Sequence, residues 1–211
     1  VGADKFRGVN IANGLYQVDD RAGVPSTNTN NGTALESLKI DTRPLTMGIT
    51  NNITYKSFTL SFFVQLTRQA GKNYLFDPIF TSQNAGAFFT DLFGNLPVQY
   101  LDYWKSPGQI AEFQRITSLP FGHPQRNLRD YVNHSDKAWV DASFIRLRNA
   151  TFSYALPKVM LKKLKINNLS LYVQAQNLLT ITDYKGLDPE TQSATALPLL
   201  RTIVGGIQIA L

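Results

Sequence analysis

The sequence predicts an all-β protein whose long antiparallel strands cross a membrane as part of a β-barrel. Five segments, at about 45–55, 58–67, 143–156, 169–182 and 201–211, alternate apolar and polar residues with period two. A tilted membrane strand needs about nine to eleven residues, whereas strands of ordinary globular domains usually run to about five or six. The connections also alternate in length, with 56–57 and 157–168 short, and 68–142 and 183–200 long. Short turns at one end and extended loops at the other are the pattern of outer-membrane barrels.

Composition agrees with this class without selecting it. The chain has 211 residues, 43% of them hydrophobic, enough for a sizeable core. No apolar run approaches the roughly 18 residues of a transmembrane helix, so any crossing falls to strands. The chain opens at Val1 with no Met, charged n-region or apolar h-region, and is expected to be a mature product or a piece of a longer protein. The absence of cysteine excludes a disulfide framework and thiolate metal sites. The net charge of +6 is dispersed apart from Lys158, Lys162, Lys163 and Lys165, so a solvated turn is expected there and no nucleic-acid partner.

In order along the chain, 1–43 reads as a loop segment, including the low-complexity run 26–33. A short hairpin is expected around a turn at Asn13-Gly14, between Val9, Ile11 and Leu15, Tyr16, Val18. Residues 44–67 form a barrel hairpin. Leu45, Met47, Ile49, Ile53 and Tyr55 face one way in its first strand, and Phe58, Leu60, Phe62, Val64 and Leu66 in its second, with Lys56-Ser57 as the turn. Residues 68–142 break the alternation. This stretch is punctuated by Pro78, Pro97, Pro107, Pro120 and Pro124 and is rich in aromatics, among them Tyr74, Phe76, Phe80, Phe88, Phe89, Phe93, Tyr100, Tyr103 and Trp104. A loop this long must have its own packing or a function. Its aromatics form a mini-core or a partner surface, for which Tyr100, Tyr103 and Trp104 are the candidates, and a helical turn or two is expected within 102–116.

Residues 143–211 supply three further strands. The first changes phase: Ile145 and Leu147 are apolar at odd positions, then Ala150, Phe152, Tyr154 and Leu156 at even ones. A β-bulge near Arg148-Asn149 would restore the register and put both Arg146 and Arg148 on the polar side. In the next strand the odd face, Leu169, Leu171, Val173, Ala175, Leu179 and Ile181, meets lipid, and Tyr172, Gln174 and Gln176 face the lumen. Tyr55, Phe58 and Tyr154, at the short-turn end, lie where an interfacial aromatic girdle would sit. Five strands cannot close a membrane barrel, so the chain is expected to need further strands and, alone, to aggregate through its two open edges.

These residues resemble the C-terminal end of SusC/RagA-type TonB-dependent outer-membrane transporters. The resemblance is carried by Ser143 to Asn149, Tyr154 to Pro157, Gln176 to Leu178, Tyr184 to Glu190 and Pro198 to Thr202. It is strong over 143–211, fair over 44–67, and suggestive at 14–20. What it implies is a barrel of about 22 strands with an N-terminal plug, of which this chain would supply the last five. The loops 1–43 and 68–142 would then be extracellular. Such transporters sit in the outer membrane of Gram-negative, Bacteroidota-like cells and import oligosaccharides or peptides. They are driven by TonB through an N-terminal part not seen in this chain, and are covered by a SusD-like surface lipoprotein. The implied partners are therefore the remaining barrel strands and plug, the lipoprotein, TonB and outer-membrane lipid. Where many relatives end in Phe, this chain ends in Leu211.

No catalytic constellation is present, so neither enzymatic activity nor a cofactor is expected. His123 and His134 lack metal-site spacing, Gly205-Gly206 lies inside an alternating strand, and Ser143 has no nearby His-Asp pair. Asp188-Pro189-Glu190 reads as an Asx turn rather than half a calcium loop. The sequons at Asn31, Asn52, Asn149 and Asn168 read as chance. Arg146, Arg148, Tyr172, Gln174 and Gln176 are the residues expected to touch solute or plug, as lumen-facing polar groups of a barrel do. Two alternatives stand beside this reading: a soluble all-β carbohydrate-binding or adhesion module, and a passive porin.

Overall fold

A computed structural model of the chain describes residues 2–28, 35–37, 43–76, 98–116, 123, 128, 131–164, 166–193 and 196–210. Phe80, Phe88, Phe89, Phe93, the sequon Asn31, Leu211 and prolines 78, 97, 120 and 124 lie outside the described residues. The strands in chain order are β1 (Gly2–Asp4), β2 (Phe6–Val9), β3 (Tyr16–Asp19), β4 (Pro25–Ser26), β5 (Leu35–Ser37), β6 (Leu45–Tyr55), β7 (Phe58–Arg68), β8 (Ala70–Lys72), β9 (Trp139–Asp141), β10 (Phe144–Ala155), β11 (Asn168–Thr182) and β12 (Thr202–Ala210). A helix, α1 (Lys158–Leu164), joins β10 to β11. The chain divides into two compact units, Val1–Asp41 with Ala70–Val140, and Thr42–Gln69 with Asp141–Leu211.

The second unit is a five-stranded sheet in the order β12-β11-β10-β7-β6, with every neighbouring pair antiparallel. Register sets Leu60, Phe152 and Val173 abreast, and Thr59, Ser153 and Tyr172 abreast one step on. Successive side chains of a strand point to opposite faces, so the period-two pattern becomes one apolar and one polar face. The apolar face is not buried: Ile49, Leu60, Ile145, Phe152, Val173, Ile181 and Ile207 are all exposed. Contiguous apolar surface on this scale marks a face that meets something other than water. The polar face is cross-linked between strands, with Ser61 Oγ donating to Asn52 Oδ1 at 2.8 Å and the hydroxyls of Thr46 and Thr67 3.3 Å apart. Phe63 and Tyr172 lie on this same face. A β-carbon at Gly48 would run into the Phe63 ring, and one at Gly206 into the Tyr172 ring, so each ring lies flat on a glycine of the next strand.

The phase change in β10 is a register shift. Both of its ladders break between Leu147 and Asn149. Toward β7 the flanking partners Val64 and Phe63 are adjacent, so Arg148 is the extra residue. Toward β11, Asn177 and Leu178 stand between the partners Leu179 and Gln176, and Asn177 has a φ of 50°. The irregularity thus extends into β11, where Asn177 and Leu178 are the residues that fall out of the alternation.

Two connections differ from expectation. The lysine-rich link after Pro157 is a helix rather than a plain turn: Val159, Met160 and Leu161 interleave with lysines, proline tolerates the first turn, and buried Leu161 pins the helix to the protein. The hairpin at β2 and β3 has a wider loop than a two-residue turn at Asn13-Gly14. Asn10 closes it, its N–H donating to Leu15 O at 2.8 Å and its Oδ1 accepting from Ala12 N at 2.8 Å.

The first unit holds a closed core. Leu15, Tyr16, Val18, Leu75, Phe76, Phe113, Leu128, Val132 and Ala138 are buried together, with Phe6, Tyr74, Tyr100, Tyr103 and Trp139 packed against them. The loop segments 2–28 and 70–140 therefore share one core. The expected helical turns within 102–116 are absent. That stretch instead turns back on itself through a parallel bridge between Tyr103 and Phe113, with Trp104 N donating to Phe113 O at 3.0 Å.

Candidate functional site

At the long-loop end of the sheet, β10 presents two arginines on the polar face. Arg146 is 2% exposed, and each of its three guanidinium nitrogens donates to an acceptor. Its Nε donates to Thr180 Oγ1 at 2.9 Å, its Nη2 to Asp188 Oδ2 at 2.9 Å and its Nη1 to Glu190 Oε2 at 2.6 Å. Its Cζ stands 5.0 Å from the centre of the Phe144 ring. Arg148 donates from Nε to Gln65 Oε1 at 2.6 Å and from Nη2 to the other oxygen of Glu190. Glu190 thus bridges two arginines that the register shift holds on one side of the strand.

The acids are held in turn by their own loop. Glu190 N donates to Asp188 Oδ1 at 2.8 Å, the expected Asx turn, and Gln192 N donates to Asp188 O at 2.9 Å. Gln69 Nε2 reaches Pro189 O at 2.6 Å. Burial alone would push the Asp188 carboxyl up, but the Glu190 N–H and the Arg146 guanidinium outweigh it and hold the group below its usual value. Two positive and two negative groups balance in this cluster, which ties the loop after β11 to the wall formed by β7, β10 and β11. Arg146 is buried in this cluster, with all three of its guanidinium nitrogens engaged by Thr180, Asp188 and Glu190.

The other polar-face candidates are more open. Tyr172 and Gln174 are half-buried and Gln176 is exposed, all on the face that carries Thr180 and Arg146. Tyr100, Tyr103 and Trp104, considered as a loop surface, belong to packing instead. Tyr100 stacks on Phe113 with centroids 4.2 Å apart and donates its hydroxyl to Leu75 O. Tyr103 packs against the core, and buried Trp104 donates Nε1 to Ile11 O at 3.1 Å. An aromatic with a polar tip does this where a core must close over irregular backbone that still needs donors.

Asp188 and Glu190 are the residues whose role the sequence reading missed. The available signal was a matched spacing: Arg-x-Arg in β10 and Asp-x-Glu in the loop beyond the neighbouring strand. Among the described residues no group of three or more His, Cys, Asp or Glu could hold a metal ion. No described helix is long and apolar enough to cross a membrane, which leaves crossing by strands open.

No family model matches the chain. It is 31% identical over 149 residues to the TonB-dependent receptor P3 of Formosa agariphila, covering 71% of this chain and 13% of that protein. To the TonB-dependent receptor SusC of Bacteroides thetaiotaomicron it is 28% identical over 214 aligned positions, covering 94% of this chain and 19% of that one. The chain thus spans less than a fifth of the curated relatives it matches. Among solved structures, the RagAB peptide importer in its open-open state aligns over 100% of this chain and 22% of its own, with a TM-score of 0.72 at 19% identity. The RagAB peptide transporter aligns with the same score at 22% identity. At these identities the structural likeness shows the fold.

Proposed function

From a chain homologous to SusC/RagA-type TonB-dependent receptors, we propose a segment of an outer-membrane importer for oligosaccharides or peptides. Its homologues are transporters rather than enzymes. In this reading β6, β7, β10, β11 and β12 are the last five strands of a barrel of about 22. Their apolar face meets lipid, and their polar face, with Tyr172, Gln174 and Gln176, lines the lumen around a plug. The first unit and the loop after β11 lie outside the cell, where a SusD-like lipoprotein closes the mouth. TonB supplies the energy through the plug.

The observation that carries this reading is the sheet's inverted polarity: long strands that expose their apolar side and hydrogen-bond their polar side. A membrane rewards that arrangement and water does not. It also weighs against a soluble carbohydrate-binding module, whose strands would pack their apolar faces together.

The test is deletion of the receptor that carries this chain, followed by fractionation and uptake measurements with labelled oligosaccharides and labelled peptides. The expected result is an outer-membrane protein whose loss abolishes uptake of one of the two classes, and abolishes it equally when TonB is removed. A receptor found outside the outer membrane, or uptake of both classes unchanged, would overturn the proposal.

A further inference from the structure

The sheet keeps its charges at separate ends. From Thr42 to Phe76 and from Ala142 to Thr182 there is no acidic residue, while Asp141, Asp183, Asp188 and Glu190 all lie at the long-loop end. The short-turn end carries Lys56 in one connection and Lys158 and Lys162 in the other, with no acidic residue in the sequence of either stretch. In α1, Leu161 is the inward residue, and Val159 and Met160 stand 78% and 58% exposed beside exposed Lys158 and Lys162. Residues 158 and 162 share a helix face, with Val159 directed away from Leu161.

This surface continues an apolar band. Phe58 stacks on Phe152 with centroids 5.7 Å apart and packs at a tilt against Tyr154 at 4.7 Å, at the same end of the same strands. Lys56 Nζ sits 5.3 Å over the ring of Tyr55. Aromatic rings with ammonium groups just beyond them mark the depth at which hydrocarbon gives way to headgroups. Aliphatic side chains set beside lysines with no acid in their own stretch of sequence fit one occupant, a surface apolar below and anionic above.

We propose that the short-turn end binds the anionic headgroups of phospholipids, Val159 and Met160 entering the acyl boundary and Lys158 and Lys162 meeting phosphate. This rests on the membrane reading above and adds a lipid preference to it. The test uses the full receptor in phosphatidylcholine vesicles with and without phosphatidylglycerol, then in detergent, with retained lipid counted by mass spectrometry. Wild-type protein is expected to retain phosphatidylglycerol over phosphatidylcholine by at least about fivefold, the effect of a single lysine near an anionic surface. K158Q/K162Q is expected to lose the preference, and K158R/K162R to keep it. V159S/M160S should lower retention of both lipids. Heat-modifiable migration of each variant reports whether it has folded, and the arginine variant keeps the test alive if the glutamine variant has not. Wild-type protein that inserts but shows no preference, a folded glutamine variant that keeps it, or an arginine variant that loses it, each overturns the lipid site alone. Failure of the wild type to insert at all overturns the membrane reading and this site together.

Discussion

The two units place their apolar side chains in opposite positions. In the first, Phe113, Val18 and Leu128 are sealed inside a core built from irregular loops. In the second, residues of the same kind, Ile49, Val173 and Ile207, stand exposed on one face of a regular sheet. Hydrophobic content is therefore no guide to which solvent a segment meets. What separates the units is order: period-two alternation with the apolar half outward in one, and no period with the apolar residues gathered inward in the other.

Four changes would break or sharpen that contrast. The largest effect is expected in the closed core, where Phe113→Ala should cost about 3–5 kcal/mol of local stability. Hydrogen exchange across 98–116 and 131–140 would read it, and protection unchanged from wild type would mean the core is not closed. Next is Val173→Arg on the open face, expected to cost about 2–4 kcal/mol in urea unfolding of the receptor in phospholipid vesicles. Ile110→Arg, at an even more open position of the first unit, should stay within about 0.5 kcal/mol. Equal costs for the two arginines would erase the distinction between their solvents.

The third change is pH. Asp188 and Asp19 are both held below the usual carboxylate value of 3.8. For Asp19 the main cause is its bond to Arg7, with Nε to Oδ1 at 2.8 Å and Nη2 to Oδ2 at 2.7 Å. A depressed carboxylate stabilises the folded form above its unfolded value, and that contribution is lost as pH falls through the folded one. Protease cleavage within 183–193 and around 19–26 should therefore stay slow down to about pH 4 and rise below it. Loosening near neutral pH instead would mean that these ion pairs do not hold the loops. The smallest effect belongs to Lys56, whose φ of 53° suits asparagine or glycine better than lysine. Lys56→Asn should stabilise the β6–β7 hairpin by up to about 1 kcal/mol, measured by the same unfolding in vesicles.

The open-faced unit was largely legible from its sequence. Alternation marks a strand locally, so the long strands fall within a residue or two of where the pattern puts them. The shift at Arg148 was legible for the same reason, because Ile145, Leu147, Ala150 and Phe152 record the change of phase. The trace at Asn177 is slighter, since β11 keeps its parity across the site and only Asn177 and Leu178 themselves fall out of phase. The helix after Pro157 is too short for its period to stand out from a lysine-rich turn. The closed core was legible only as aromatic content: Tyr16 and Phe113 share it from nearly a hundred residues apart, each packed on Phe76, with no period to connect them. Arg146 and Asp188 likewise pair through a register that only the folded sheet supplies.

Phe63 and Tyr172, each lying flat on a neighbouring glycine, set the relief of the polar face. A ring standing upright would project several ångströms from the backbone, whereas one laid down adds little more than its own thickness. The face is low at those two points, tiled rather than studded. Replacing Gly48 or Gly206 by alanine would stand a ring on end and roughen that face without adding a charge or removing a hydrogen bond.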